Sequence, residues 1–182
     1  MKRNLLISLG LAFGLVAFVA VAIQLGMISG EHRAQSQAPA SALLKPTNAE
    51  QAREAIKALK SPLTLVNFWA SWCEPCKKEF PGILAVREKL KAKGFNVVFI
   101  SIDEPADFKA AEEFLREHKV DFQTYYKGYE RIDMISELFP KWEGAVPASV
   151  LMDANLQAVD AWEGDTSSAE FEQRVLAHMK GT

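Results

Sequence analysis

The sequence predicts an α/β domain, a central mixed sheet flanked by helices, set behind an apolar N-terminal segment. Three observations lead there. An apolar, β-type run, Leu63 to Trp69, passes into a helical pattern over Lys77 to Leu90, in which Ile83, Leu84, Val86 and Leu90 share one face. A second β-type run follows at Asn96 to Ile102, and a strand–helix–strand succession of this length reads as a right-handed parallel crossover. Near the C-terminus, two further runs flank Asp153-Ala154-Asn155, a hairpin turn signal, which adds an antiparallel part.

The N-terminus comes first in the chain. Met1 to Arg3 is basic, and Leu5 to Ile23 carries no charge, with Ser8 as its only hydroxyl. Apolar character continues to about Ile28, close to the ~20 residues that cross a bilayer as a helix. Ala20-Val21-Ala22 has the residues of a cleavage site but sits inside the apolar run, so 1–28 reads as an uncleaved transmembrane signal anchor. Lys2 and Arg3 predict the N-terminus inside and the domain outside. Residues 29–46, rich in Ala, Ser and Gln and containing Pro39 and Pro46, read as a flexible tether. Residues 47–182 are then one domain by length.

The remaining elements follow in order. Asn48 to Lys60 reads as a helix with Asn48 as N-cap and Ala52, Ala55, Ile56 and Leu59 on one face, ended by Ser61-Pro62. Gly94 closes the Lys77 to Leu90 helix. Asp103-Glu104-Pro105 opens a helix over about Ala106 to His118, with Phe108, Ala111, Phe114 and Leu115 inward. Val120 to Tyr126 reads as a short strand and Arg131 to Phe139 as a short amphipathic helix. Leu156 to Trp162 is the returning edge strand, and Gly164 to Ser168 leads into a last helix, about Ala169 to Lys180.

The net charge of −2, with no basic stripe, gives no sign of nucleic-acid binding. The chemistry gathers at Cys73-Glu74-Pro75-Cys76, which holds both cysteines of the chain. A Cys-x-x-Cys at a strand-to-helix junction sets its first sulfur at a helix N-terminus, where unpaired N–H groups and the helix dipole favour a thiolate. The second cysteine lies about one turn along, within reach of a disulfide, so the pair can act as a two-electron switch. Two blander readings stand beside this one. A structural zinc site needs about four ligands, whereas His32, His118 and His178 are scattered. An inert disulfide closing so short a loop would constrain the unfolded chain little.

Phe68-Trp69-Ala70-x-Trp72-Cys73-x-Pro75-Cys76-Lys77, with Pro81 five residues after the second cysteine, resembles the active-site segment of the thioredoxin superfamily. Cys-Glu-Pro-Cys followed by Lys-Lys-Glu-Phe-Pro resembles its TlpA/ResA branch of membrane-tethered thiol-disulfide oxidoreductases. The resemblance implies a thioredoxin-like fold, with Ala106–His118 and Val120–Tyr126 as the branch's helix–strand insertion. It makes Pro147 the family's cis-proline opposite the cysteines, with Val146 and Pro147 docking an extended substrate and Trp72, Glu74 and Pro75 lining the same face. Asn67 stands where the best-known thioredoxins place a buried aspartate, and Glu79 is the expected replacement for moving the proton of Cys76.

Cys73 is the expected attacking sulfur, because it precedes the helix and should be the exposed one, and Cys76 the shielded, resolving one. Glu74 beside both sulfurs opposes a thiolate, which predicts a reductant. No cofactor motif or metal-ligand set is found. The resemblance implies an extracytoplasmic enzyme of the bacterial cytoplasmic membrane, re-reduced by a transmembrane thiol carrier of the CcdA/DsbD kind. Its expected substrates are disulfides in exported proteins, apocytochrome c first. A disulfide oxidant or isomerase of the same fold, and a copper-delivery module, remain as alternatives.

Overall fold

The structure is a computed structural model, and it describes residues 43–128 and 133–179. The predicted anchor, 1–28, and the predicted tether up to residue 42 lie outside the described residues, as do Arg131 and Ile132 of the predicted Arg131 to Phe139 helix and Lys180 at the end of the last one. Among the described residues no helix is long and apolar enough to cross a membrane.

Among the described residues, six strands form one sheet in the order β1-β4-β3-β2-β5-β6. They are β1 (Leu44–Pro46), β2 (Leu63–Trp69), β3 (Phe95–Ser101), β4 (Thr124–Tyr126), β5 (Ala148–Asp153) and β6 (Ala158–Glu163). The β1–β4, β4–β3 and β3–β2 pairs are parallel, and β5 runs antiparallel to both β2 and β6. Every residue of β2 is buried, as a central strand between two neighbours requires. The helices are α1 (Ala49–Ala58), α2 (Glu74–Leu90), α3 (Phe108–Glu117), α4 (Asp133–Leu138) and α5 (Ser168–Met179).

Several boundaries differ from the sequence reading. Residues 44–46, assigned to the tether, form the edge strand β1 beside β4, which shortens the tether. Leu44 is 2% exposed, so this apolar side chain is anchored in the core. The strand expected over Val120 to Tyr126 shrinks to Thr124–Tyr126, and the helix before it starts with a single 3-10 turn, Pro105–Asp107. The active-site helix starts three residues earlier than its apolar period suggested. Glu74 and Pro75 hold its first turn, where proline's missing N–H has no intrahelical partner to lose.

Local sequence explains the helix ends. Asn48 caps α1 by accepting from the Gln51 N–H at 2.8 Å, while the Gln51 side chain accepts from the Asn48 N–H at 3.2 Å, a complete capping box. Gly94, at φ 90°, ends the 3-10 turn after α2 in a left-handed conformation that favours glycine. α2 runs through Pro81, and Gly82 lets it lie close to α5. A Cβ there would come 2.1 Å from Ser168 Oγ and 3.1 Å from its Cβ.

The core beside the site is aromatic. Phe80 of α2 stacks on Phe99 of β3 at 4.1 Å and meets Phe114 of α3 edge-on at 5.0 Å. Trp69, at the end of β2, contacts both Phe80 (5.3 Å) and Phe114 (5.2 Å). His118, the C-cap of α3, packs on Phe80 and Phe114 and bonds the Phe114 carbonyl at 3.0 Å, so it has a structural place.

Candidate active site

The site forms where β2 ends and α2 begins. Trp69 leaves the sheet, the chain turns through Ala70 to Cys73, and the Cys73 N–H donates to the Ala70 carbonyl at 3.1 Å. Cys73 is the N-cap of α2, and its sulfur accepts the Cys76 N–H at 3.2 Å. A sulfur at this position takes one of the orphan N–H groups of the helix start, which favours negative charge on it. Cys73 and Cys76 are joined in a disulfide.

The two sulfurs differ in access less than the sequence suggested. Cys73 was expected to be exposed, yet it is only 5% exposed against 1% for Cys76. It remains the more accessible of the pair. The covering comes from the segment before β5. The Val146–Pro147 peptide bond is cis, and the Val146 carbonyl lies 3.5 Å from Cys73 Sγ. In the disulfide this sulfur has no proton to donate, so the approach is a contact. The reduced thiol could donate there. Trp72 is 57% exposed, and Glu74 and Pro75 are exposed beside the disulfide.

The cis-proline loop is itself held from β6. Glu163 accepts the Glu143 N–H at 2.6 Å and the Ala145 N–H at 3.0 Å, and the Gly164 N–H donates to the Pro147 carbonyl at 2.9 Å.

Three residues beyond Cys76 on the same helix sits a buried acid. Glu79 is 7% exposed; its Oε1 accepts from Asn67 Nδ2 at 3.0 Å and its Oε2 accepts the Thr166 N–H at 3.2 Å. The other Asn67 N–H reaches Ser149 Oγ at 3.0 Å. Burial pushes the Glu79 carboxyl up to about 7, with the Asn67 and Thr166 bonds pulling it down and Asp165 adding a small upward push. A carboxyl titrating near neutrality can both take and return a proton. Asn67 of β2 therefore holds Glu79 of α2 by a direct hydrogen bond.

The charges around the helix start are paired. Glu74 forms an ion pair with Lys77, and Lys78 reaches Asp165 at 3.0 Å. Glu74 thus does not act as a lone negative charge beside the sulfurs. Among the described residues there is no group of three or more His, Cys, Asp or Glu side chains placed to hold a metal ion.

Residues 34–166 match the AhpC/TSA family. The chain belongs to that family. Within it, the chain is similar to the thiol-disulfide oxidoreductase ResA of Bacillus subtilis strain 168, 31% identical over 123 residues that cover 66% of each chain. Among solved structures it is similar to a Chlorobium tepidum candidate thiol:disulfide interchange protein DsbE, 28% identical, with a TM-score of 0.56, covering 68% of this chain and 84% of that one. A thioredoxin-family thiol:disulfide interchange protein from Chlorobium tepidum TLS shares the fold at 23% identity and a TM-score of 0.57, covering 67% of this chain and 83% of that one. This AhpC/TSA domain is a thioredoxin-like thiol-disulfide oxidoreductase with its cysteine pair oxidised.

Sequence reasoning missed several residues that the AhpC/TSA fold brings to the site. Ser149 is one; its signal was a lone serine in the apolar β5 run, in register with the lone asparagine of β2. Thr166 acts through its backbone, which leaves no mark in sequence. Asp103 was read as the opening of a helix, and it instead accepts hydrogen bonds from Ser71 and Ser101.

Proposed function

We propose that the protein reduces disulfides in exported proteins from the outer side of the cytoplasmic membrane, with Cys73 as nucleophile. The observation that carries this reading is the Cys73–Cys76 pair at the start of α2, with Val146 and cis-Pro147 against the first sulfur. The reduced Cys73 thiolate attacks one sulfur of the substrate disulfide. That S–S bond breaks, and a Cys73–substrate mixed disulfide forms as the other substrate sulfur leaves as a thiolate. Cys76 then loses its proton to the Glu79 carboxylate and attacks Cys73 Sγ. The mixed disulfide breaks, Cys73–Cys76 closes, and the substrate leaves as a dithiol once protonated. The backbone at Val146 and Pro147 receives the substrate as an added strand, with Trp72, Glu74 and Pro75 bordering it.

The direction of transfer follows from how far the Cys73 thiolate is stabilised. A strong oxidant needs a deeply stabilised thiolate. Here Lys77 and Lys78, the cations next to the pair, are each engaged by a carboxylate. That supports a reductant, recharged by a transmembrane thiol carrier of the CcdA/DsbD kind, with apocytochrome c cysteines as the leading substrate. The apolar run Leu5 to Ile23 supports anchoring by an N-terminal helix.

The test is the reduction potential of the full chain against glutathione or dithiothreitol, followed by substrate capture with Cys76→Ala. A potential near that of thioredoxin, about −270 mV, is expected. A value near about −120 mV, that of a strong periplasmic oxidant, would overturn the direction. A pair that does not cycle would overturn the enzyme reading.

A further inference from the structure

A buried carboxylate that takes no part in the exchange chemistry grips the loop leading to the first cysteine. Asp103 follows β3 by two residues and is 1% exposed. The Ser71 N–H reaches both its oxygens, at 3.1 and 3.0 Å, and the Ser71 hydroxyl donates to Oδ1 at 2.7 Å. The Ser101 hydroxyl donates to Oδ2 at 2.6 Å, while Ser101 Oγ accepts the Asp103 N–H at 2.9 Å. Ser101 is fully buried at the end of β3 and pairs in register with Trp69. The Ile102 N–H fixes the same place by donating to the Trp69 carbonyl at 2.8 Å.

One end of this clamp is therefore the sheet, and the other is Ser71, two residues before Cys73. Burying a carboxylate is costly unless donors surround it, and here they come from the end of β3 and from the turn that ends at the Cys73 N-cap. Asparagine cannot copy the arrangement. Both Asp103 oxygens accept, whereas an amide turns an N–H₂ toward one set of donors.

We propose that Asp103 is a positioning residue for disulfide exchange: it fixes Ser71, holds Cys73 at the helix start, and so favours the closed disulfide over the open dithiol. The physical reason is entropic. A turn already ordered by the sheet has less freedom to lose when the two sulfurs join. Loosening the clamp shifts the balance toward the dithiol and makes the protein a weaker reductant. The inference rests on the exchange function proposed above.

The test equilibrates the full chain, solubilised in detergent, with glutathione redox buffers and reads the oxidised fraction. Asp103→Asn is expected to move the equilibrium constant about tenfold toward the dithiol, about 30 mV less reducing. Ser71→Ala removes only the hydroxyl donor and is expected to move it in the same direction by a smaller factor. Should Asp103→Asn not fold, Ser71→Ala and Ser101→Ala decide the matter. A folded variant whose equilibrium constant is unchanged, or moves toward the disulfide, overturns the inference. A wild-type pair that cannot cycle overturns the proposed function and this inference with it. A cycling wild type with unmoved variants overturns this inference alone.

Discussion

Replacing Glu79 with glutamine makes a prediction whose size comes from the structure. The carboxyl is 7% exposed and is raised from 4.5 to about 7, chiefly by burial. The folded protein therefore holds this proton more tightly than the unfolded chain does. Between pH 4.5 and about 7 the native state keeps the proton and the unfolded state releases it, so stability falls as pH rises. The contribution is complete below about 4.5 and is lost as pH passes through about 7. That interval corresponds to roughly 3 kcal/mol. Glutamine, like the protonated acid, is neutral and keeps an oxygen that accepts from Asn67, but its N–H₂ cannot accept the Thr166 N–H, a loss that does not vary with pH.

The stability difference between Glu79→Gln and the wild type should thus shift by about 2–3 kcal/mol in the variant's favour between pH 4 and pH 8. Urea unfolding of the two oxidised proteins, followed by circular dichroism from pH 4 to 8.5, measures the difference; groups common to both proteins cancel. A difference that stays flat, or that favours the wild type as pH rises, would refute the burial argument. In the exchange reaction the sign reverses. The variant should turn over roughly 100-fold more slowly at pH 7.5, because Cys76 has lost its proton acceptor.

Three further outcomes follow from the packing. Asn48→Ala removes one half of the capping box and should cost about 1 kcal/mol, read as a lower urea midpoint with an unchanged slope. Phe80→Ala empties the space between Phe99, Phe114 and Trp69 and should cost about 3–5 kcal/mol by the same measurement. Trp72→Ala alters a side chain that is 57% exposed, so stability should stay within about 0.5 kcal/mol while KM for a protein disulfide rises and kcat holds.

How much of this was legible beforehand depends on the range of each interaction. The capping box of α1, the turn at Gly94 and the Cys-x-x-Cys at a helix start are set by residues within one or two turns of each other, so they could be read along the chain. Strand β1 could not. Leu44-Lys45-Pro46 has no β-type pattern of its own, and it is a strand because Thr124–Tyr126 offers it a parallel partner. The early start of α2 was hidden for a different reason. Apolar periodicity marks only the buried face, while Glu74 and Pro75 in its first turn are exposed.

The sequence alone determined the chemistry at hand: two sulfurs three positions apart, an apolar strand before them, a helix after them, and an acid one turn further on. Those are local facts, governed by backbone geometry and helix electrostatics. Tertiary structure alone decided how that chemistry is tuned. It brought Val146 against Cys73, set Asn67 and the Thr166 N–H on Glu79, and placed Asp103 under Ser71. It also paired Lys78 with Asp165 across the fold, whereas the Glu74–Lys77 pair is local to the first turn of α2. Burial and long-range hydrogen bonds set those properties, and both depend on which surfaces meet when the sheet closes on its helices.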